Sequence, residues 1–277
     1  MKNVRRAAVA GSWYPASAPA LEAAVDAHLA RAGLSGADGG ELQALIVPHA
    51  GLMYSGPVAA HAYRLLTTRC FETAVIVGPS HFVGFEGVAL YPSGGFDTPL
   101  GVAEIDERIT ARLLGASPVV RASETPHLRE HSLEMQLPFV RRLAPQMRIV
   151  PLLMGYQTPE TAAALAAALA EILAGESALL IASTDLSHYH DADAAHRLDA
   201  IVIDAVARLD ADGLQEILNQ EPDHACGGGP TVAVMKAALA LGASSASILC
   251  YGDSGDVSGD KSAVVGYLAA ALRRPPS

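Results

Sequence analysis

The chain lacks the features that mark several large protein classes. Lysine and arginine number 19 against 29 acidic residues, for a formal net charge of −10, so no basic stripe is available to neutralise phosphates and a nucleic-acid binder is excluded. Charged residues make up only 17% and apolar ones 51%, which excludes a disordered chain. Cysteine occurs three times, at Cys70, Cys226 and Cys250, an odd and scattered set that excludes a disulfide framework and suits a reducing compartment, the cytoplasm. No apolar run has the length and purity of a membrane span: Thr161 to Ala182 is interrupted by Glu171 and Glu176. The basic start, Met1 to Arg6, is not followed by the apolar stretch of a signal peptide. A zincin helix, a Gly-x-Ser-x-Gly elbow and a Walker lysine loop are all missing.

What is present alternates between two periodicities. Short β-branched runs occur at Leu42–Val47, Thr73–Val77, Met147–Leu153, Ala178–Ala182, Ser247–Tyr251 and Ala263–Tyr267. Helical patterns lie between them at Pro57–Leu66, Ile105–Leu114, Thr161–Leu173, Ala194–Leu209 and Thr231–Leu241. Strands alternating with helices predict an α/β fold, a single domain over 1–277 with a central mixed, largely parallel sheet flanked by helices. Residues 32–40 read as a surface loop after a first helix, and 273–277 as a frayed tail.

Three strand-like runs lead into histidines: Val47-Pro48-His49, Val77-Gly78-Pro79-Ser80-His81 and Ala182-Ser183-Thr184-Asp185-Leu186-Ser187-His188. Ligands of open α/β sheets bind beyond the carboxyl ends of strands, so these histidines are expected to share a site. The fourth element is Cys226-Gly227-Gly228-Gly229-Pro230, leading into a helix. Exposed amides and the helix dipole there are expected to favour the Cys226 thiolate; the bland alternative is a tight loop with an ordinary small residue. Cys70 and Cys250 read as packing residues.

Imidazole and thiolate together suit iron, zinc or copper. The candidate ligands are His49, His81 and Cys226, which leaves His188 free to move protons and Asp185 to orient an imidazole or a metal-bound water from behind. His190 and His224 are spare candidates, read as solvated. His131 and Glu134, at i and i+3, share a face if their segment is helical, as acid/base partners or as a surface pair. Gly252 to Asp260 looks superficially calcium-like but lacks EF-hand spacing, and reads as a polar loop.

Taken together, Ala10-Gly11-Ser12-Trp13-Tyr14, Val47-Pro48-His49-Ala50-Gly51, Ala60-His61-Ala62-Tyr63, Gly78-Pro79-Ser80-His81, Glu130-His131-Ser132-Leu133-Glu134-Met135, Ser183-Thr184-Asp185-Leu186-Ser187-His188 and Cys226-Gly227 resemble the Memo family, whose bacterial and archaeal members are called AmmeMemoRadiSam system protein B. The resemblance runs in order over nearly the whole chain. It implies a fold similar to the class III extradiol dioxygenases (LigB-like), non-haem Fe(II) enzymes with two histidine ligands and a glutamate. By position His49 and His81 match those histidines, His188 matches the acid/base histidine, and Cys226 stands where the dioxygenases have glutamate. The resemblance also implies that Trp13 and Tyr54 line the pocket, and its name points to AMMECR1-like and radical-SAM partners.

Three readings of function follow. One is a metal-dependent redox enzyme in which Fe(II) activates O₂ or a small aromatic or phenolic substrate, with His188, Asp185 and His131 in support; Cu(I) or Zn(II) are the other metals the site could take. Another is a non-catalytic metal- or peptide-binding protein on the same scaffold. The third is a metal-free cysteine hydrolase or transferase with Cys226 as nucleophile and His188 as base.

Overall fold

Buried on every residue, the strand Thr73–Pro79 reads as an unbroken apolar run because it has a layer of helices on each side. The computed structural model describes residues 3–33 and 40–276; the expected 32–40 loop therefore lies largely outside the described residues. The first half of the chain runs β1 (Val4–Arg5), α1 (Ala18–Arg31), β2 (Glu41–Val47), α2 (Leu52–Tyr63), β3 (Thr73–Pro79), β4 (Val88–Leu90), β5 (Gly95–Phe96), β6 (Ala103–Glu104), α3 (Glu107–Ala116) and β7 (Val120–Ala122). The second half runs α4 (Leu137–Leu143), β8 (Arg148–Met154), α5 (Pro159–Leu173), β9 (Ala178–Ser183), β10 (His188–His190), α6 (Ala192–Ala207), α7 (Ala211–Gln220), α8 (Gly228–Ala240), β11 (Ser245–Asp253), α9 (Gly255–Ser258) and β12 (Val264–Arg274).

The main sheet is mixed and ordered β10-β12-β2-β9-β3-β8-β4-β7, with β11 also paired to β12; β1, β5 and β6 form a small second sheet. The middle of the main sheet, β2-β9-β3-β8, is parallel; β12 runs antiparallel to its neighbours, and β4 runs antiparallel to β8 but parallel to β7. Alternation then sorts the core onto two faces. Val75 and Val77 pack with Leu180, Ala182 and Leu152 among the apolar faces of α5 and α8. Ala74 and Ile76 point the other way, with Leu179, Ile181 and Leu153, towards α1, α2 and α4. Among the described residues, no helix is long and apolar enough to cross a membrane.

The structure departs from the expected elements in several places. Helix α2 begins at Leu52, with Pro57 inside it, although the residue before a proline usually avoids helical geometry. The chain end is not frayed from 273: β12 continues to Arg274, Arg273 is buried, and Arg274 Nε donates to Glu41 Oε2 at 2.6 Å. Helix α7 was not expected, though its signal was present in Asp210, whose side chain caps the Gly213 amide at 2.8 Å. Cys70 is exposed rather than packed, since it follows the short turn that ends at Thr68.

Candidate metal centre

Three of the site's loops leave adjacent parallel strands at the same edge of the sheet. His49, Asp185 and His81 each stand two residues past the end of β2, β9 and β3. The loops are tied together: the His49 amide donates to Asp185 Oδ1 at 2.7 Å. The Cys226 amide donates to the Asp185 carbonyl at 3.2 Å, and the Asp185 amide points at Cys226 Sγ at 3.3 Å. Gln157, just beyond β8, donates to the Cys226 carbonyl at 2.7 Å and accepts from the Gly229 amide at 2.8 Å. A Cβ on Gly227 would lie 2.4 Å from the Ser183 carbonyl oxygen, so glycine is required for this close approach. Gly227→Ala is expected to destabilise the fold by about 1–3 kcal/mol, read from denaturant unfolding, because backbone rather than a flexible side chain must move.

One ligand atom from each of His49, His81 and Cys226 falls in a cluster within 4.8 Å. His49 Nε2 is 3.3 Å from Cys226 Sγ, and His49 Nδ1 is 2.9 Å from Ser183 Oγ. On the other side, Glu130 is buried and grips His81 twice, accepting from its amide at 2.6 Å and from Nδ1 at 2.9 Å. His131 Nδ1 is 3.4 Å from the same carboxylate, so His81, Glu130 and His131 form a second group of donors. The rings form a ladder: Trp13 to His131 at 4.3 Å, His131 stacked on His81 at 4.6 Å, and His81 edge-on to His49 at 5.3 Å. Above them opens a cavity of about 740 Å³, also walled by Asp185, His188, Tyr189 and Asp223. Tyr189 is exposed and held at φ 63°, an uncommon conformation for a bulky residue beside His188.

Burial sets the charges. His49 is held well below the ordinary histidine range by burial and then by the neighbouring His81 and His131, and His131 is lowered to about 4, again mainly by burial. Both are neutral at pH 7, with a ring lone pair each. Burial alone would raise Glu130, but hydrogen bonds from His81 and backbone amides outweigh it and bring the carboxyl down to about 2. Asp185 is pushed up to about 7 by burial. The Cys226 thiol is pushed up too, by burial and by the charge of Asp185, which corrects the expected thiolate. The helix-terminal amides that were to stabilise it are taken: Gly227 donates to Thr184 Oγ1 at 2.9 Å and Gly229 to Gln157. His188 is lowered by burial.

Residues 5–271 match the family described as Memo-like protein. The chain belongs to the Memo family. A MEMO1 family protein of Methanothermobacter thermautotrophicus is 39% identical over 272 residues, spanning 95% of this chain and 98% of the relative. Another, from Methanosarcina mazei, is 40% identical over 272 residues, with 96% and 98% covered. The fold is shared with the crystal structure of an uncharacterized protein from Escherichia coli K12, at TM-score 0.56 and 17% identity over 84% of this chain and all (100%) of the other.

Of the residues expected at the site, the structure gathers His49, His81, Cys226, His188, Asp185, His131 and Trp13 around one cavity. Tyr54 lies in the adjoining apolar groove, which shares Trp13. Glu134 does not reach the cavity: it is fully buried, with its carboxylate accepting from the Ala8 and Val9 amides, Tyr14 and Arg5. Nor do His131 and Glu134 share a helical face, because His131 lies in a loop ahead of a short 3₁₀ turn at Glu134–Gln136. His190 is on the cavity wall, and His224 is buried rather than solvated. Lys261 fills the acidic loop, with Nζ 2.8 Å from Asp253 and 2.6 Å from Asp256, so an internal ammonium sits among those carboxylates. Glu130, Ser183, Gln136 and Gln157 were missed. Their key partners are remote in sequence, and only Glu130 and Ser183 had a signal, their places in segments that carry the resemblance.

Proposed function

We propose that the protein holds a transition metal on His49, His81 and Cys226, Fe(II) foremost and Cu(I) or Zn(II) as alternatives, and that with iron it acts as a redox enzyme, with O₂ as the oxidant, on a small aromatic or phenolic ligand in the cavity. The observation that carries this reading is the convergence of two imidazoles and a thiol within 4.8 Å at the carboxyl edge of the sheet. The donors fit such an ion: His49 is neutral, and a nitrogen–sulfur set suits iron, copper and zinc rather than magnesium or calcium. Bound there, iron or copper supplies one-electron redox chemistry. His188, neutral and on the cavity wall, accepts and returns the ligand's proton at a ring nitrogen, while Asp185 holds the His49 loop in place. Trp13 and His131 present an aromatic face to the ligand.

A second reading, binding without turnover of a metal or a partner peptide, is favoured by the sulfur itself, which softens the donor set towards Cu(I). Oxygen consumption by iron-loaded protein with phenolic ligands separates the two: sustained uptake supports the enzyme, and none supports the binder. The cysteine-nucleophile reading fits poorly, because Cys226 Sγ pairs with His49 rather than His188 and burial keeps the thiol protonated. Residence in the cytoplasm suits the three free cysteines. Partnership with AMMECR1-like and radical-SAM proteins is proposed on the name that bacterial and archaeal members of the family carry, and is tested by co-purification.

Because the metal-free thiol carries its proton, metal uptake at pH 8 is expected to release about one proton per ion. Titration of Zn(II) into weakly buffered protein reads this directly. Cys226→Ser is expected to bind at least about tenfold more weakly and to release none; equal affinity and equal release would exclude the sulfur as a ligand.

A further inference from the structure

Ser183, fully buried at the end of β9, has three hydrogen-bonding neighbours at its hydroxyl: the Ser132 carbonyl at 2.6 Å, Gln136 Nε2 at 2.7 Å and His49 Nδ1 at 2.9 Å. A serine hydroxyl has one hydrogen to donate and two lone pairs to receive. A carbonyl can only accept, so that hydrogen is committed to Ser132. The other two neighbours must donate.

The orientation of Gln136 is fixed by separate contacts. Tyr63 donates to its Oε1 at 2.8 Å, and its nitrogen donates to the Pro48 carbonyl at 3.1 Å. Turning the amide over would set two carbonyl oxygens against each other at Pro48. Gln136 and Tyr63 are both fully buried, so bulk water does not compete. His49 Nδ1 must therefore carry the ring hydrogen, and Nε2, 3.3 Å from Cys226 Sγ, carries the lone pair.

We infer that Ser183 and Gln136 are positioning residues that lock His49 in its Nδ1–H tautomer and so present Nε2 to a metal beside Cys226. This deepens the proposed metal site and rests on it for its purpose, while the tautomer itself is a property of the metal-free chain. The device differs from the one at His81. There, ionised Glu130 can only accept, so Nδ1 has no choice but to donate. A serine can donate or accept, and at His49 the chain of partners from Pro48 through Gln136 to Ser132 removes that freedom.

Long-range proton–nitrogen correlation spectra of the metal-free full chain test this, with His49→Gln used to assign the ring. The expected result is a single His49 species with hydrogen on Nδ1. An Nε2–H species, or a mixture of the two, in the wild-type protein would overturn the inference. Ser183→Ala is expected to give a tautomer mixture and to lower Zn(II) affinity about 10–100-fold; an unchanged tautomer in that variant would also overturn it. The wild-type spectrum decides by itself if the variant does not fold. A wild-type protein that shows the Nδ1–H species but takes up no Zn(II) would overturn the metal reading while upholding the tautomer.

Discussion

Replacing Arg5 by methionine is expected to cost about 3–5 kcal/mol of folding free energy, because it leaves a buried carboxylate without its countercharge. Arg5 and Glu134 are both almost wholly removed from water, and Arg5 Nη1 donates to Glu134 Oε2 at 2.6 Å. The remaining arginine donors are also committed, Nε to the His127 carbonyl at 2.6 Å and Nη2 to the Glu130 carbonyl. Glu134 in turn gathers the N-terminal segment: the Ala8 amide donates to it at 2.8 Å, the Val9 amide at 3.0 Å and the Tyr14 hydroxyl at 2.7 Å. This is the segment that places Trp13 against His131, so the pair fixes one wall of the cavity from below. Urea unfolding measures the loss. Emission of Trp13, the single tryptophan, is expected to shift to the red in the variant as the ring leaves His131. A loss under about 1 kcal/mol would place the pair among ion pairs of little consequence.

Acid is expected to destabilise the metal-free protein steeply between pH 6.5 and 4.5. His49, His127 and His131 are all lowered by burial, His127 to about 3 and His131 to about 4. In this window the unfolded chain binds a proton at each of the three and the folded chain does not, so each contributes stability that is present above pH 6.5 and lost on acidification. Asp185 acts in the opposite sense. Its folded value of about 7 means that the folded chain keeps a proton the unfolded chain has released, and its contribution falls as pH rises through the same window. Three groups against one leave a net of two protons, on the order of 3 kcal/mol per pH unit at full development, and His28, His61 and His188, also lowered by burial, add in the same sense. Urea midpoints across pH read the slope. Asp185→Asn is expected to steepen it and His127→Gln to flatten it; a flat profile in the wild type would contradict the burial of these imidazoles.

Much of the site was legible because its signals are local. A β-branched run followed by Pro or Gly and then histidine locates the end of β2 and β3 without knowledge of the sheet, and the parallel order β2-β9-β3 then brings His49, Asp185 and His81 to one edge. The residues that tune these ligands were not legible. Glu130 is 49 positions from His81, and Gln136 is 47 positions from Ser183, so no spacing rule connects them. The Cys226 thiol was misjudged for a related reason. A helix start predicts free amides, but their capture by Thr184 and Gln157 depends on strands elsewhere in the chain. Glu134 shows the reverse error, since a carboxylate near a histidine in sequence turned out to serve Arg5 and the N-terminal amides.

The central claim, a metal held by His49, His81 and Cys226, is tested most directly by the metal content of protein purified anaerobically, with Cys226→Ser and His49→Ala beside the wild type. Near-stoichiometric iron or copper in the wild type, lost from both variants while their circular dichroism is retained, is the predicted result. Metal absent from wild-type protein after iron, copper and zinc supplementation, or present equally in all three proteins, would contradict it.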